Sequence, residues 1–347
     1  MKLRPCATRS VLGAATSLLA ACGGAEMAGP VVPPLVSSAQ IVFQSQSAFP
    51  NDPSAANELV TMRLDGSNRR QITSDGKNKF LPHFSPDGTR LVYTKFLTGR
   101  YDDPTSLTDV AVYDFASAAE ALLTHTGTSV QPAFSPDGKR IAYSTRSGDS
   151  LWIMNADGSQ ARRIGVPSGA LDDLRWNDFA WSSDDWILFT TAQNIGGCFE
   201  TRLDKIRPDG SARTRVTDGG PNCTPMGKEQ NGDADPGFSP DGQTIYTSRG
   251  FPIAPAGGPA AATERRLYAV SSSAWYPGKP ETDLSWSAQP SCIEGVPKAS
   301  PDGTRVLLFR ACFGASPVNG IFVTDTAGSY RTKIADGFAP DWNPVAK

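Results

Sequence analysis

A seven-residue phrase recurs along this chain and limits its fold more than any other feature. It reads Pro82-His83-Phe84-Ser85-Pro86-Asp87-Gly88 and again Pro132-Ala133-Phe134-Ser135-Pro136-Asp137-Gly138. Four drifted copies follow: Phe179-Ala180-Trp181-Ser182-Ser183-Asp184-Asp185, Pro236-Gly237-Phe238-Ser239-Pro240-Asp241-Gly242, Pro297-Lys298-Ala299-Ser300-Pro301-Asp302-Gly303 and the truncated Pro340-Asp341-Trp342-Asn343-Pro344. Proline presets φ near −65° at the second turn position, aspartate bonds the nearby backbone, and glycine supplies the positive φ that closes a hairpin. Each phrase is therefore a strand running into a tight apex. The third copy puts Asp185 where the others have glycine, and aspartate tolerates the left-handed region well enough to keep the turn.

After the apex comes a β-rich stretch, such as Leu91-Val92-Tyr93, Ile141-Ala142-Tyr143, Ile187-Leu188-Phe189, Ile245-Tyr246 or Val306-Leu307-Leu308-Phe309. Third and fourth strands follow, as in Leu151 to Ser159, with its own Asp157-Gly158 turn, and Arg162-Arg163-Ile164. Four antiparallel strands repeating roughly every fifty residues cannot bury their faces alone, and predict an all-β, six-bladed β-propeller. The last copy ends with no room for its remaining strands. Ile41-Val42-Phe43, Leu59 to Leu64 and Arg70 to Thr73 supply them from the other end of the chain, so N-terminal strands are expected to pair with the C-terminal inner strand and close the ring. The phrase resembles the TolB-like (PD40) propeller repeat, with the resemblance covering residues 39–347. It implies a protein of the bacterial envelope. The family's namesake carries an α/β domain ahead of its propeller, which this chain is expected to lack.

The first residues read as an address. Lys2, Arg4 and Arg9 precede an apolar run from Val11 to Ala21 that is shorter than the roughly 20 residues a bilayer span needs. Leu19-Ala20-Ala21-Cys22 resembles the lipobox of bacterial lipoproteins. That resemblance implies a signal peptide over 1–21, lipid on Cys22, and outer-membrane retention facing the periplasm or the cell surface. Residues 22–38, with Pro30, Pro33 and Pro34 and little to bury, read as a flexible tether, and the propeller as 39–347.

In such a blade the Ser-Pro-Asp-Gly turns lie on one stiff face and the long segments on the other: Ser45 to Glu58, Lys95 to Thr108, Gly165 to Asn177, Asp218 to Asp233, Gly250 to Glu264 and Thr282 to Val296. Long loops on a rigid scaffold are where binding usually sits. Arg100, Tyr101, Arg175 and Trp176 are of the types enriched at binding hot spots, and with Asp178 and Asp235 at inner-strand entries they form the candidate binding set. Of six cysteines, removing Cys6 and Cys22 leaves four in an oxidising compartment, and four allow three pairings. The layout favours Cys198 with Cys223 and Cys292 with Cys312, four free thiols being the alternative.

Net charge is −2 with acids and bases interleaved, which gives no footprint for nucleic acid. Two histidines, His83 and His125, and no Cys-x-x-Cys leave a structural zinc site without ligands. Gly148-Asp149-Ser150-Leu151 spells an esterase nucleophile motif, but no histidine follows it, and no Gly-x-Ser-x-Gly elbow occurs. No catalytic residue is assigned. Carboxylates at Asp178, Asp233 and Asp235 could approach one another for Ca²⁺, against the plainer reading of turn and strand-entry residues; no other cofactor is expected. The expectation is a monomeric, non-enzymatic propeller that touches the membrane through its lipid alone. It would bind an envelope protein or peptide at its long-loop face or channel mouth, the alternative being an envelope polysaccharide-binding module or lyase.

Overall fold

The computed structural model describes residues 39–45, 56–100, 103–148, 150–164, 179–195, 198–217, 231–253, 262–272, 281–284, 292–312 and 318–345. The expected signal, lipidation site and tether all lie outside them. So do parts 46–55, 101–102, 165–177, 218–230, 254–261 and 285–291 of the segments expected as long loops. The flanks of those segments are strand rather than loop: Asn231–Phe238, Thr244–Ile253, Ala262–Ser271 and Cys292–Ala299 each reach into what reads as loop. Backbone ladders continue there past the end of the apolar pattern, since pairing needs N–H and C=O groups rather than apolar side chains.

Every described regular element is a strand. The strands run in antiparallel groups of four. Lys79–Phe84, Arg90–Phe96, Thr108–Asp114 and Ala119–Leu122 pair in sequence order, as do Ser129–Phe134, Arg140–Thr145, Leu151–Asn155 and Arg162–Ile164. Three further groups begin at Ala180, Asn231 and Cys292, and short parallel ladders, Glu200 opposite Asn231 and Arg265 opposite Ile293, join these three into one twelve-stranded sheet. The remaining sheet draws on both ends of the chain. Phe338–Trp342 pairs with Ile41–Gln44, with Ile41 opposite Trp342 and Val42 opposite Asp341, and Leu59–Met62 and Arg70–Gln71 follow.

The core lies between neighbouring groups. Val92 and Val110 pack with Phe134, Ile141 and Tyr143 of the next group; Leu151 and Ile153 pack with Phe179, Ile187 and Phe189. The same happens onward, Leu188 and Leu203 with Ile245, then Tyr246 and Leu267 with Val306 and Leu308. Leu307 and Ile321 of the group that begins at Cys292 then meet Ile41, Phe43 and Trp342, whose sheet meets Phe84, Leu91 and Tyr93 through Val42 and Leu59. A fully buried side chain of this kind contributes about 1.5–3 kcal/mol, and no group could bury these faces alone.

The apex chemistry repeats faithfully. Ser85 Oγ donates to Asp87 Oδ1 at 2.6 Å and accepts from the Arg90 amide at 2.9 Å, while the Gly88 amide closes onto the Ser85 carbonyl at 2.8 Å. The serine–aspartate bond recurs at Ser135, Ser182, Ser239 and Ser300. At the last of these the Ser300 hydroxyl and the Thr304 amide and hydroxyl hold the Asp302 carboxyl down at about 2. Asp185 takes the glycine position at φ 68° and keeps the turn, and its carboxylate also accepts from Arg140 Nη2 at 2.9 Å and Trp181 Nε1 at 2.8 Å.

One device is absent from the sequence reading. Leu81, Gln131, Asp235, Val296 and Ala339 each precede the proline of their copy, and each sits at φ between 47° and 56°. The ladder slips across this site in the inner strands that begin at Lys79, Ser129, Asn231 and Cys292, which marks a bulge. A residue before proline avoids the right-handed helical region and prefers extended backbone, so left-handed leucine or valine there costs on the order of 1–3 kcal/mol. The neighbouring group offsets it by capturing the displaced amide: Leu81 N–H donates to Gln44 Oε1 at 3.0 Å and Gln131 N–H to Thr94 Oγ1 at 2.8 Å.

Charge is also buried between groups. The Lys79 ammonium, with no exposed side-chain surface, meets Glu58 at 2.7 Å and Asp75; Lys95 meets Asp75 at 2.6 Å and Glu120, which in turn accepts from the Tyr93 hydroxyl. Partial burial pushes the Asp75 carboxyl up, but hydrogen bonds from Lys79 and Lys95 outweigh it and hold it at about 2. A folded value below the unfolded one, about 3.9, means stabilisation that is present above pH 4 and is lost as pH falls from 4 towards 2. Because this carboxylate is 39% exposed, solvent reduces the contribution to about 1 kcal/mol. Asp75→Asn is therefore expected to lose about that much at pH 7 and to flatten the pH 4-to-2 limb of the urea-unfolding profile. An unchanged limb would refute this assignment.

Candidate binding site

The residue after the proline position takes five identities over the six copies: His83, Ala133, Ala180, Gly237, Lys298 and Asp341. All six line one cavity of about 370 Å³ at the Ser-Pro-Asp-Gly end of the inner strands. The apex residues Pro86, Pro136, Ser183, Pro240, Pro301 and Pro344 form its rim. The strand preceding each apex aims its post-proline residue at the same space because the inner strands pack side by side in order, Phe338–Trp342 against Lys79–Phe84 included.

The walls are unequal. Lys298, Asp341 and His83, from three consecutive inner strands, make a polar arc; Ala133, Ala180 and Gly237 make a small, uncharged arc. Asp341 Oδ2 accepts from the Phe84 amide at 2.9 Å and stands 3.8 Å from His83 Nδ1, so the carboxylate is fixed by backbone from the next group. Trp342 Nε1 donates to the Lys298 carbonyl at 2.8 Å, which ties the fifth inner strand to the last. Gly237 has a steric reason: a Cβ there would stand 2.4 Å from the Pro297 carbonyl oxygen. Such a bowl, mostly apolar with a few placed polar groups, suits an inserted side chain or a small ligand. Leu81, Val296 and Ala339, each two residues before a lining residue on its inner strand, form a buried apolar cluster.

The candidate set read from sequence is placed differently. Arg100 is exposed, and its amide and carbonyl both bond Ser106 Oγ at 2.7 Å. Asp235 is half-buried at a left-handed bulge and does not line the cavity. Tyr101, Arg175, Trp176 and Asp178 lie outside the described residues. Asp233 is fully buried against Arg249, at 2.8 and 3.1 Å, and the same guanidinium binds Glu281. Its carboxylate therefore serves an ion pair, and among the described residues no group of three or more His, Cys, Asp or Glu is arranged to hold a metal ion. His125 is exposed and Ser150 is buried where the chain enters Leu151–Asn155. Cys292 and Cys312 are joined in a disulfide. The Cys198–Cys223 pairing falls outside what is described. The cavity lies away from the long segments, and its signal in the sequence is the most variable position inside the repeat.

Comparison with known proteins agrees with this architecture. The PD40 family, described as the TolB beta propeller domain, matches residues 36–226. The Tol-Pal system protein TolB of Anaeromyxobacter dehalogenans is 33% identical over 109 residues, which is 31% of this chain and 24% of that protein. The chain thus aligns to about a quarter of that relative's length. Among solved structures, TolB from Acinetobacter baumannii superposes with a TM-score of 0.63 at 17% identity, covering 88% of this chain and 66% of the other. An oligogalacturonate lyase in complex with manganese superposes at 0.51 with 12% identity, covering 85% and 73%. At these identities both likenesses speak for fold alone. Taken with the repeated inner strand and its apex, the profile match over more than half the chain means that this protein belongs to the PD40 family of TolB β-propeller domains.

Proposed function

We propose that this chain is a closed six-bladed propeller of the bacterial envelope that captures a peptide segment of a partner protein at its Ser-Pro-Asp-Gly mouth and catalyses no reaction. The observation that carries the reading is the convergence of all six inner strands on one mostly apolar bowl with a polar arc at Lys298, Asp341 and His83. An inserted apolar side chain would fill the bowl, while peptide N–H and C=O groups would meet the arc. Lipid on Cys22, a tether over 22–38 and a monomeric state complete the proposal. The listless rim of rigid turns suits capture without rearrangement, because a preorganised site spends little free energy on ordering.

The test is affinity capture from an envelope extract of the source bacterium by the full chain, beside Lys298→Glu, Ser183→Trp and Arg100→Ala. Lys298 and Ser183 are at the mouth; Arg100 is on an exposed loop. A specific protein retained by wild type and Arg100→Ala, and reduced at least about tenfold by the two mouth variants, is the expected result. Equal capture by all four proteins would remove the mouth as the site. Retention of glycan in place of protein would favour the polysaccharide reading.

A further inference from the structure

The hairpin formed by Cys292–Ala299 and Arg305–Cys312 carries an arrangement that a structural crosslink does not require. Its register sets Cys292 opposite Cys312 and Glu294 opposite Arg310. Because side chains two apart on a strand share a face, the pattern Cys-x-Glu facing Arg-x-Cys gathers all four groups together. The Arg310 guanidinium donates from Nη1 to Glu294 Oε1 at 2.6 Å, from Nε to Cys312 Sγ at 3.3 Å and from Nη2 to Cys292 Sγ at 3.4 Å. Glu294 divides its carboxylate, since Arg331 also donates to both its oxygens at 3.0 and 3.2 Å. Among the described residues Arg310 is the charged group on the sulfurs, Glu294 and Arg331 stand behind it, and Arg265 lies on the adjoining parallel strand opposite Ile293.

A disulfide sulfur is a weak, neutral acceptor, whereas a thiolate accepts a charge-assisted hydrogen bond from a guanidinium that is roughly twice as strong. The two N–H groups on the sulfurs therefore favour the reduced state. We propose that Cys292 and Cys312 are a redox-active pair that exchanges with dithiol reductants and holds a thiolate on Arg310 when reduced. The thiolate of the incoming dithiol attacks one sulfur, and the electron pair of the S–S bond leaves on the other, which Arg310 receives. The second sulfur of the reductant then attacks the mixed disulfide and releases the remaining cysteine. The reductant departs as its own disulfide; two electrons pass to the protein, one of the two protons rests on the second thiol, and one goes to solvent. Cys292 begins its strand and Cys312 ends its own, with the residues 6% and 7% exposed. Stabilising the reduced form in this way is how a dithiol becomes the more oxidising partner.

The experiment equilibrates the full chain in graded glutathione buffers and reads Cys292 and Cys312 by alkylation and peptide mapping, which separates them from the other cysteines. Circular dichroism follows the fold. Wild type should stay folded when reduced, and its alkylation rate should rise with pH around a midpoint below the ordinary thiol value of about 8.5. Arg310→Met should move that midpoint to 8.5 or above and lower the equilibrium constant for reduction about tenfold, near 30 mV for this two-electron couple. Arg310→Lys, which keeps charge without the fork, should fall between. A wild-type midpoint at or above 8.5 would overturn the proposal whether or not the variants fold. So would loss of the fold on reduction, which would make the bond a crosslink, or an Arg310→Lys profile and equilibrium equal to wild type.

Discussion

Glu294→Gln is expected to lower the unfolding free energy by about 3–5 kcal/mol, the range found when one member of a buried ion cluster is removed and its partners stay behind. The carboxylate is 3% exposed and holds two guanidinium groups, Arg310 at 2.6 Å and Arg331 at 3.0 Å. Glutamine keeps the shape but takes away the negative charge, and its amide turns donors towards groups that are themselves donors only. Arg331 cannot withdraw to water, because its side chain is fully buried and it also donates to Thr324 Oγ1 at 2.8 Å and the Leu284 carbonyl at 2.6 Å. Through Leu284 it ties one four-strand group to the next, so the loss should spread beyond its own sheet. Glu281→Gln provides the contrast. That carboxylate also binds an arginine, Arg249 at 2.6 Å, but is 34% exposed, and Asp233 remains to pair the same guanidinium. Its loss should cost about 1 kcal/mol. Equal effects of the two substitutions in urea titration would show that burial is not what gives Glu294 its weight.

The apex strands were legible in the sequence because three residue types with hard backbone preferences recur together: Pro86, Asp87 and Gly88 permit one turn and little else. Strand content followed from the β-rich stretches after each apex, such as Leu91-Val92-Tyr93, and pairing of the two chain ends followed from the incomplete last copy. The bulge before each inner-strand proline was not legible. Leu81 and Val296 are residues that propensity places in extended backbone, and what holds them left-handed is tertiary, such as the Gln44 side chain 37 positions away on the neighbouring sheet. Ion pairs were hidden for the same reason. Lys79 and Glu58 are 21 positions apart, and only the packing of one strand group on the next brings them together. The cavity was half legible. Its rim is the recurring phrase, but its chemistry resides in the position that varies most among the copies, and a search for similarity discards that position first.

Removal of residues 338–347 is expected to abolish cooperative folding, whereas Trp342→Ala should leave a folded protein that is about 3–5 kcal/mol less stable. The tryptophan is 8% exposed and packs with Ile41, Phe43, Leu307 and Ile321, so its truncation opens one cavity and strands one indole hydrogen bond to the Lys298 carbonyl. Those losses are local. The deletion is of another kind, because the last strand touches three neighbours at once. It pairs with Ile41–Gln44, all four of whose residues are buried; Asp341 anchors the Phe84 amide at 2.9 Å; and Phe338 packs between Phe80 and Phe309, with ring centroids at 5.9 and 4.5 Å. Asn343 adds a side-chain bond to the Ala39 carbonyl at 3.0 Å. Without the strand, Ile41–Gln44 becomes a bare sheet edge, and two intergroup cores lose one wall each, which favours association through unpaired backbone. In the closed ring proposed above every group would depend on both neighbours, so breaking one seam should remove the transition rather than lower its midpoint. In an open array the same deletion would fray one end and leave the groups beginning at Ser129 and Ala180 melting as before. Thermal unfolding of the two variants followed by circular dichroism, with size-exclusion chromatography for association, separates these cases: a sharp transition retained by the truncated chain would mean that the seam between the chain ends is not what makes this fold cooperative.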